Sequence, residues 1–299
     1  MSERELRLAI RDLLQEAGIE GGDVVLVHSG VGQLSAWFGR GRLRPGEIVA
    51  ALHGALAEAV GRSGTIVAPG FFYDYARKSE AYVVEKSPPA RSLGFYPPYL
   101  FRRPGCRRSL NPIANLLALG SAAERICAHD SAYGFGLSSP WARLVELRAK
   151  ALVIGTPFVF TFLHHAEALV GPPHLYNKIF HAPVFASGRQ IELPVVNCVR
   201  YLDFEVEYQD DRLEADLLSA GIARQAGTPE LNLQLIDLAG AQDHCVAALA
   251  RDPFYLLKRA PKFVAGRVPD DSIRQPRGAE GGRNSAPGAV RSSTSSAPF

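Results

Sequence analysis

A histidine and a glutamate three residues apart, His164 and Glu167 in Thr161-Phe162-Leu163-His164-His165-Ala166-Glu167, are the residues of this 299-residue chain best spaced for chemistry. On a helical turn, positions i and i+3 share a face, so a carboxylate there can orient an imidazole and titrate with it. A neutral imidazole suits the removal of a proton from an amine, and a carboxylate on its other nitrogen sets the tautomer and raises its basicity. His165 points about 100° away on the same turn and reads as a packing residue. Glu205, in the run Asp203-Phe204-Glu205, is a second candidate for the orienting carboxylate. Adjacent histidines diverge, and metal sites on helices take ligands at i and i+4, so a metal-dependent hydrolase is disfavoured and no metal is expected. Taken alone, such a pair also fits an ordinary surface turn. Its neighbours decide.

The elements that must position the pair follow from hydrophobic pattern. Ser2 and Glu5 form a capping box, and Leu6, Ile10, Leu13 and Leu14 repeat at helical spacing until Gly18. Val24 to Val27 is an apolar run of buried-strand length that delivers His28-Ser29-Gly30 at its carboxyl end. A helix is predicted over Pro45 to Val60, a strand over Thr65 to Ala68, and another over Ala151 to Gly155, just before His164. This alternation predicts a layered α/β/α core with a mainly parallel central sheet, in which ligands collect at the carboxyl ends of the strands. Phe71 to Gly120 is rich in aromatics, Pro and Arg and reads as loops with short helices over a site. Helices are predicted around Ser121 to Ala128 and Ser139 to Leu147, with a glycine-rich loop, Gly134-Phe135-Gly136, between them. Alternation in Phe185-Ala186-Ser187 and Ile191 to Val196 predicts additional antiparallel strands in the C-terminal half. Glu205, Glu207, Asp210, Asp211, Glu214 and Asp216 mark an acidic helix, either a solvated face or a cation-binding rim. Residues 1–274 read as a single domain, and 275–299, made of Gly, Ser, Pro, Ala and Arg, as a disordered tail.

Composition excludes several functions. A 47% hydrophobic content supports a substantial core, and a formal charge of +3, much of it from Arg277, Arg283 and Arg291 in the tail, does not indicate nucleic-acid binding. Cys106, Cys127, Cys198 and Cys245 are widely spaced, as in a cytoplasmic protein with reduced thiols. No apolar run approaches the roughly 18 residues that span a bilayer, so no membrane partner is expected.

Five segments carry a resemblance. They are Asp23 to Gly30; Gly64-Thr65-Ile66-Val67-Ala68-Pro69-Gly70-Phe71-Phe72-Tyr73-Asp74; Phe101 to Gly105 with Arg108-Ser109-Leu110-Asn111-Pro112; Gly134 to Gly136 with Ser139-Pro140; and Leu163-His164-His165-Ala166-Glu167. In this order they resemble the aminoglycoside 3-N-acetyltransferase family, which transfers acetyl from acetyl-CoA to an amine. The resemblance implies an acetyl-CoA-dependent acyltransferase with His164 as base, and Glu167 is placed either to support His164 or to hold the substrate. It implies a donor site at His28, Ser29, Gly30, Gly134, Gly136, Ser139 and Thr161. Strand-end hydroxyls, close glycine backbone and a helix start with Pro140 at its first position suit phosphates and a pantetheine arm. Asp74 and Tyr73 fall where the family places acceptor contacts.

The departures bear on the acceptor. Asn111-Pro112-Ile113-Ala114-Asn115 replaces a His-Pro-Thr-x-Ser stretch, Gly30 stands where a second Ser is common, and Val170 to Lys178 is more similar to a surface-polysaccharide branch than to the antibiotic-resistance members. The implied partner is a small-molecule amino sugar, either of a cell-surface glycan or an aminoglycoside. The alternative is a catalytically inactive CoA-binding module. The oligomeric state stays open, a homodimer included.

Overall fold

Helix α1 (Glu3–Glu16) begins where the Ser2 hydroxyl accepts from the Glu5 N–H at 3.3 Å and the Glu5 carboxylate accepts from the Ser2 N–H at 2.7 Å. This reciprocal pair satisfies two amides that a helix start leaves free. The computed structural model describes residues 2–37, 43–128, 132–202, 204–228 and 231–263, so the tail anticipated over 275–299 lies outside the described residues. Strand β1 (Val24–Ser29) is buried on both faces, with Val24 and Leu26 entering one core and Val25 and Val27 the other. Helix α2 (Val31–Trp37) follows, and α3 (Pro45–Val60) then buries Ile48, Leu52, Ala55 and Leu56 and leads into β2 (Thr65–Pro69), which pairs parallel with β1.

The next segment holds α4 (Asp74–Lys78), β3 (Tyr82–Val83), a short 3-10 turn (Arg91–Leu93), α5 (Tyr96–Phe101), β4 (Arg107–Arg108) and β5 (Leu116–Gly120). Loops and short helices describe only part of it, because β5 pairs antiparallel with β2 inside the main sheet. Leu116, Leu117 and Ala118 are all buried, so this strand has no polar face and shows no alternation. Helices α6 (Ala123–Ile126) and α7 (Pro140–Glu146) lead to β6 (Lys150–Ile154), which pairs parallel with the other edge of β1.

Beyond it come α8 (Leu163–Val170), β7 (Leu175–Phe180), β8 (Val184–Ala186), β9 (Arg189–Gln190), β10 (Val195–Arg200), α9 (Asp210–Ser219), β11 (Ala223–Thr228), β12 (Leu231–Asp237) and α10 (Leu238–Arg251). The strand anticipated from Ile191 starts only at Val195, after Pro194, which has no N–H to give a ladder.

The sheet order is β11-β12-β6-β1-β2-β5-β4. Its three central strands run parallel, and antiparallel strands extend it at both edges. Helices α1, α3 and α5 cover one face and α6, α7, α8 and α10 the other, giving the α/β/α layers. Two smaller sheets, β10-β7 and β3-β8-β9, hold the antiparallel pairs β10-β7 and β8-β9 of the C-terminal half, with β3 joining β8 in parallel. Among the described residues no helix is long and apolar enough to cross a membrane.

Candidate active site

The carboxyl ends of β1 and β6 meet with almost no space between them. Gly30 donates its N–H to the Ile154 carbonyl at 2.9 Å, and a Cβ on Gly30 would collide with the Gly155 carbonyl oxygen. Gly155 itself has φ +66°, a conformation costly for other residues. Beside this junction opens a cavity of about 720 Å³, lined by the end of β1, by Pro69 at the end of β2, by residues 156–164 and by residues 197–210. Its position matches the rule for open α/β sheets.

Helix α8 places His164 on the cavity wall and Glu167 behind it. Gly171, at φ +67°, ends the helix and donates to the Glu167 carbonyl at 2.8 Å, which fixes the turn that carries the pair. His164 Nδ1 lies 2.7 Å from Glu167 Oε2; with the carboxylate ionised, Nδ1–H is the donor and Nε2 is the nitrogen left for a ligand. The side chain of His164 is 19% exposed, whereas that of Glu167 is 1% exposed. His165 turns away, as expected, and is held between the Phe135 carbonyl at 2.6 Å and Gln242 at 3.0 Å.

Glu167 collects more donors than its neighbour in sequence. His174 Nε2 lies 3.0 Å from Glu167 Oε1, and the Tyr208 hydroxyl donates to both carboxylate oxygens at 3.1 Å. Burial alone would raise the Glu167 pKa, but the hydrogen bonds from His164 and His174 outweigh it and hold the carboxyl below its ordinary value. Burial and the Glu167 charge push the Tyr208 hydroxyl well above the ordinary tyrosine range, so it stays a donor. The arrangement is a buried anion wrapped by three side-chain donors, two of which, His164 and Tyr208, reach the cavity. It can hold an imidazole in one tautomer and stabilise the imidazolium formed when Nε2 takes a proton.

Of the residues singled out in the sequence, His28, Ser29, Tyr73, Thr161 and His164 line the cavity. The His28 Nε2 and Ser29 Oγ atoms are buried and have no protein partner, so they are available to a ligand. Burial lowers the His28 pKa to about 4, which keeps this ring neutral. Glycines 134 and 136 shape the loop without lining the cavity; a Cβ on Gly134 would collide with Asn197 Oδ1, another buried unpartnered atom.

Three placements correct the expectations. Glu205 is exposed and paired with Arg259, so Glu167 is the carboxylate on His164. Asp74 pairs with Lys78 at 3.2 Å and stands outside the cavity lining. Ser139 is fully buried and caps α7, accepting from the Ala142 N–H at 3.3 Å, so its hydroxyl serves the helix.

His174, Tyr208, Arg200, Asp210 and Lys258 were not singled out for this site. His174 follows the Gly171-Pro172-Pro173 turn and Asp210 sits in the acidic run, but Tyr208 carries no local signal.

Comparison with known proteins follows the same residues. The family model for aminoglycoside 3-N-acetyltransferase matches residues 26–250. Aminoglycoside N(3)-acetyltransferase IX of Micromonospora chalcea is 29% identical over 260 residues, covering 77% of this chain and 88% of that protein. The structure of AAC-IIIb in a binary complex with CoASH superposes with a TM-score of 0.69 at 25% identity, covering 85% of this chain and 98% of that one. AAC-VIa bound to sisomicin superposes with a TM-score of 0.68 at 26% identity, covering 84% and 98%.

Proposed function

The chain belongs to the aminoglycoside 3-N-acetyltransferase family, and from that premise we propose that this acyltransferase moves acetyl from acetyl-CoA to the amine of an amino sugar, with His164 as general base. One observation carries the reading: the His164 ring has Nδ1 on a buried carboxylate and Nε2 free at the wall of a cavity at the strand ends. The relatives with CoASH and with sisomicin support the donor and the class of acceptor. The residues present suit the donor, because the unpartnered His28 Nε2 and Ser29 Oγ offer polar contacts along a wall without charged side chains.

When bound, acetyl-CoA supplies an electrophilic thioester carbonyl whose leaving group is a thiolate. His164 Nε2 takes the proton of the attacking amine and returns it to the departing sulfur. Glu167 stays ionised throughout, held below its ordinary pKa by His164 and His174 after offsetting burial, and its charge stabilises the transient imidazolium. Thr161 and Ser29, which line the cavity, contact the donor in this reading. In this reading residues 1–274 act as one domain in the cytoplasm. The acceptor is an aminoglycoside, a resistance function, or an amino sugar of a surface glycan, a biosynthetic one.

Thiol release from acetyl-CoA with a panel of aminoglycosides and free or nucleotide-linked amino sugars tests the proposal. Amine-dependent release is the expected result. Binding of CoA with no release for any amine would instead make the chain a binding module.

A further inference from the structure

The charged side chains that line the cavity among the described residues come from one side of it: Arg200 at the end of β10, Glu207 and Asp210 before and at the start of α9, and Lys258. The opposite side, from Val27 to Ser29 and from Thr156 to Thr161, carries none, and His28 there is kept neutral by burial. Two of the four charges are already matched, since Lys258 Nζ lies 2.5 Å from Glu207 Oε1. The remaining two are not. Burial and the adjacent Asp211 charge, with a smaller effect from Glu214, push the Asp210 carboxyl above its ordinary value against the pull of His164 and Lys258, and among the described residues it has no hydrogen-bond partner. Arg200 donates from Nη1 to the Val206 carbonyl at 3.0 Å, while its Nε–H is buried without a partner.

A buried donor left unpaired costs free energy that a ligand acceptor would recover, and a guanidinium fork suits a phosphate or carboxylate. Asp210, within electrostatic reach of the His164 base and on the cavity lining, suits an ammonium group. Resting on the N-acetyltransferase reading, we propose that the acceptor is an amino sugar with a single amine and an anionic group, the ammonium meeting Asp210 and the anion meeting Arg200. A polycation would bring its further ammonium groups against an unmatched guanidinium. Placing the anion site on the charged wall also separates it from the uncharged wall assigned to the donor.

The test measures thiol release at saturating acetyl-CoA with glucosamine, glucosamine 6-phosphate, 2-amino-2-deoxyglucuronate and gentamicin. The anionic sugars should exceed glucosamine in kcat/KM by about tenfold or more, the span of one hydrogen bond to a charged group, and should exceed gentamicin as well. Their relative rates identify phosphate or carboxylate as the group held. Arg200→Gln should raise KM for the anionic sugars to the glucosamine value while kcat and the KM for acetyl-CoA hold, and Arg200→Lys should keep part of the preference. Asp210→Asn should raise KM for all three sugars. Preference for gentamicin, parity between glucosamine and its phosphate, or an Arg200→Gln effect confined to the KM for acetyl-CoA would each overturn the proposal while leaving the transferase intact. Release with none of the four acceptors would overturn the proposal, and would remove the transferase reading as well only if no amine of the wider panel gave release.

Discussion

Glu167 and Arg108 are both charged side chains sealed inside the protein, 1% and 5% exposed, yet they are held in opposite ways. Glu167 is held by His164, His174 and Tyr208, all groups that can change protonation state. Arg108 donates from Nε to Asn115 Oδ1 at 2.8 Å and from its terminal nitrogens to the carbonyls of Val84, Ser87 and Gly70, with the Tyr82 and Phe101 rings 4.9 and 5.0 Å away. None of these acceptors titrates, and Arg108 does not line the cavity. Burial lowers its pKa, but a guanidinium starts so high that it remains charged. Burial of charge therefore does not by itself mark a catalytic group. What marks Glu167 is a titratable partner with one atom on the cavity.

The comparison sharpens first at His164. Replacement by Ala should lower kcat by about 10²- to 10⁴-fold, the usual contribution of a positioned base, while acetyl-CoA still binds and stability falls by about 1.5–3 kcal/mol for the donor taken from the buried Glu167. Turnover within a few-fold of the parent would remove His164 from the mechanism and reduce the Glu167 cluster to a structural one. Arg108→Ala should do the reverse. It strands an amide oxygen and three carbonyls and leaves a void between two rings, a loss of about 3–5 kcal/mol in denaturant unfolding. The kcat of the folded fraction should be unchanged, and a specific drop in kcat would break the contrast.

Acid should separate the two regions again. Because His28 has a folded pKa of about 4 against 6.5 for the free side chain, the unfolded chain binds its proton first on acidification. Its contribution, up to about 3 kcal/mol, is present above 6.5 and is lost as pH falls towards 4. The depressed Glu167 carboxyl has the same sign lower down: its contribution holds above the unfolded carboxylate pKa and disappears as pH falls through the folded value. In unfolding curves across pH, His28→Gln should flatten the limb between 6.5 and 4, and Glu167→Gln the limb below it. Arg108→Met should shift the whole curve downward with its shape kept. A change of shape with Arg108→Met would mean that its partners titrate after all.

The same contrast governs what could be read from the residues alone. His164 and Glu167 are three apart on one helix, so local periodicity exposes their pairing. His174 and Tyr208 reach Glu167 from 7 and 41 residues away, through β7 and the segment before α9, and no spacing rule joins them. Glu205 is a candidate by residue type alone, but an exposed carboxylate next to an exposed cation pairs with it, here Arg259. The buried strands β1 and β2 and helix α3 were legible because short Val-rich runs and a Pro-led amphipathic stretch have few alternatives. Strand β5 was hidden by its position in an aromatic, Pro-rich segment, and β12, which completes the sheet beside β6, acquires its identity from pairing. Arg108 was visible only as part of a motif; its sealed environment depends on Val84, Ser87 and Gly70, which come from two other parts of the chain.

Tyr208 offers the finest test of the contrast because it touches the buried anion without touching the cavity base through a hydrogen bond. Removing its hydroxyl in Tyr208→Phe takes away one donor shared between both carboxylate oxygens and leaves the His164 and His174 contacts in place. A hydrogen bond to a charged group contributes about 1.5 kcal/mol or somewhat more, so the variant should lose about that much stability. His164 keeps its own bond to the carboxylate, so kcat should fall less than about tenfold. An unchanged kcat with the same loss of stability would make Tyr208 a brace for Glu167, equivalent to the carbonyls around Arg108, whereas a fall of more than tenfold would give its hydroxyl a part in the reaction.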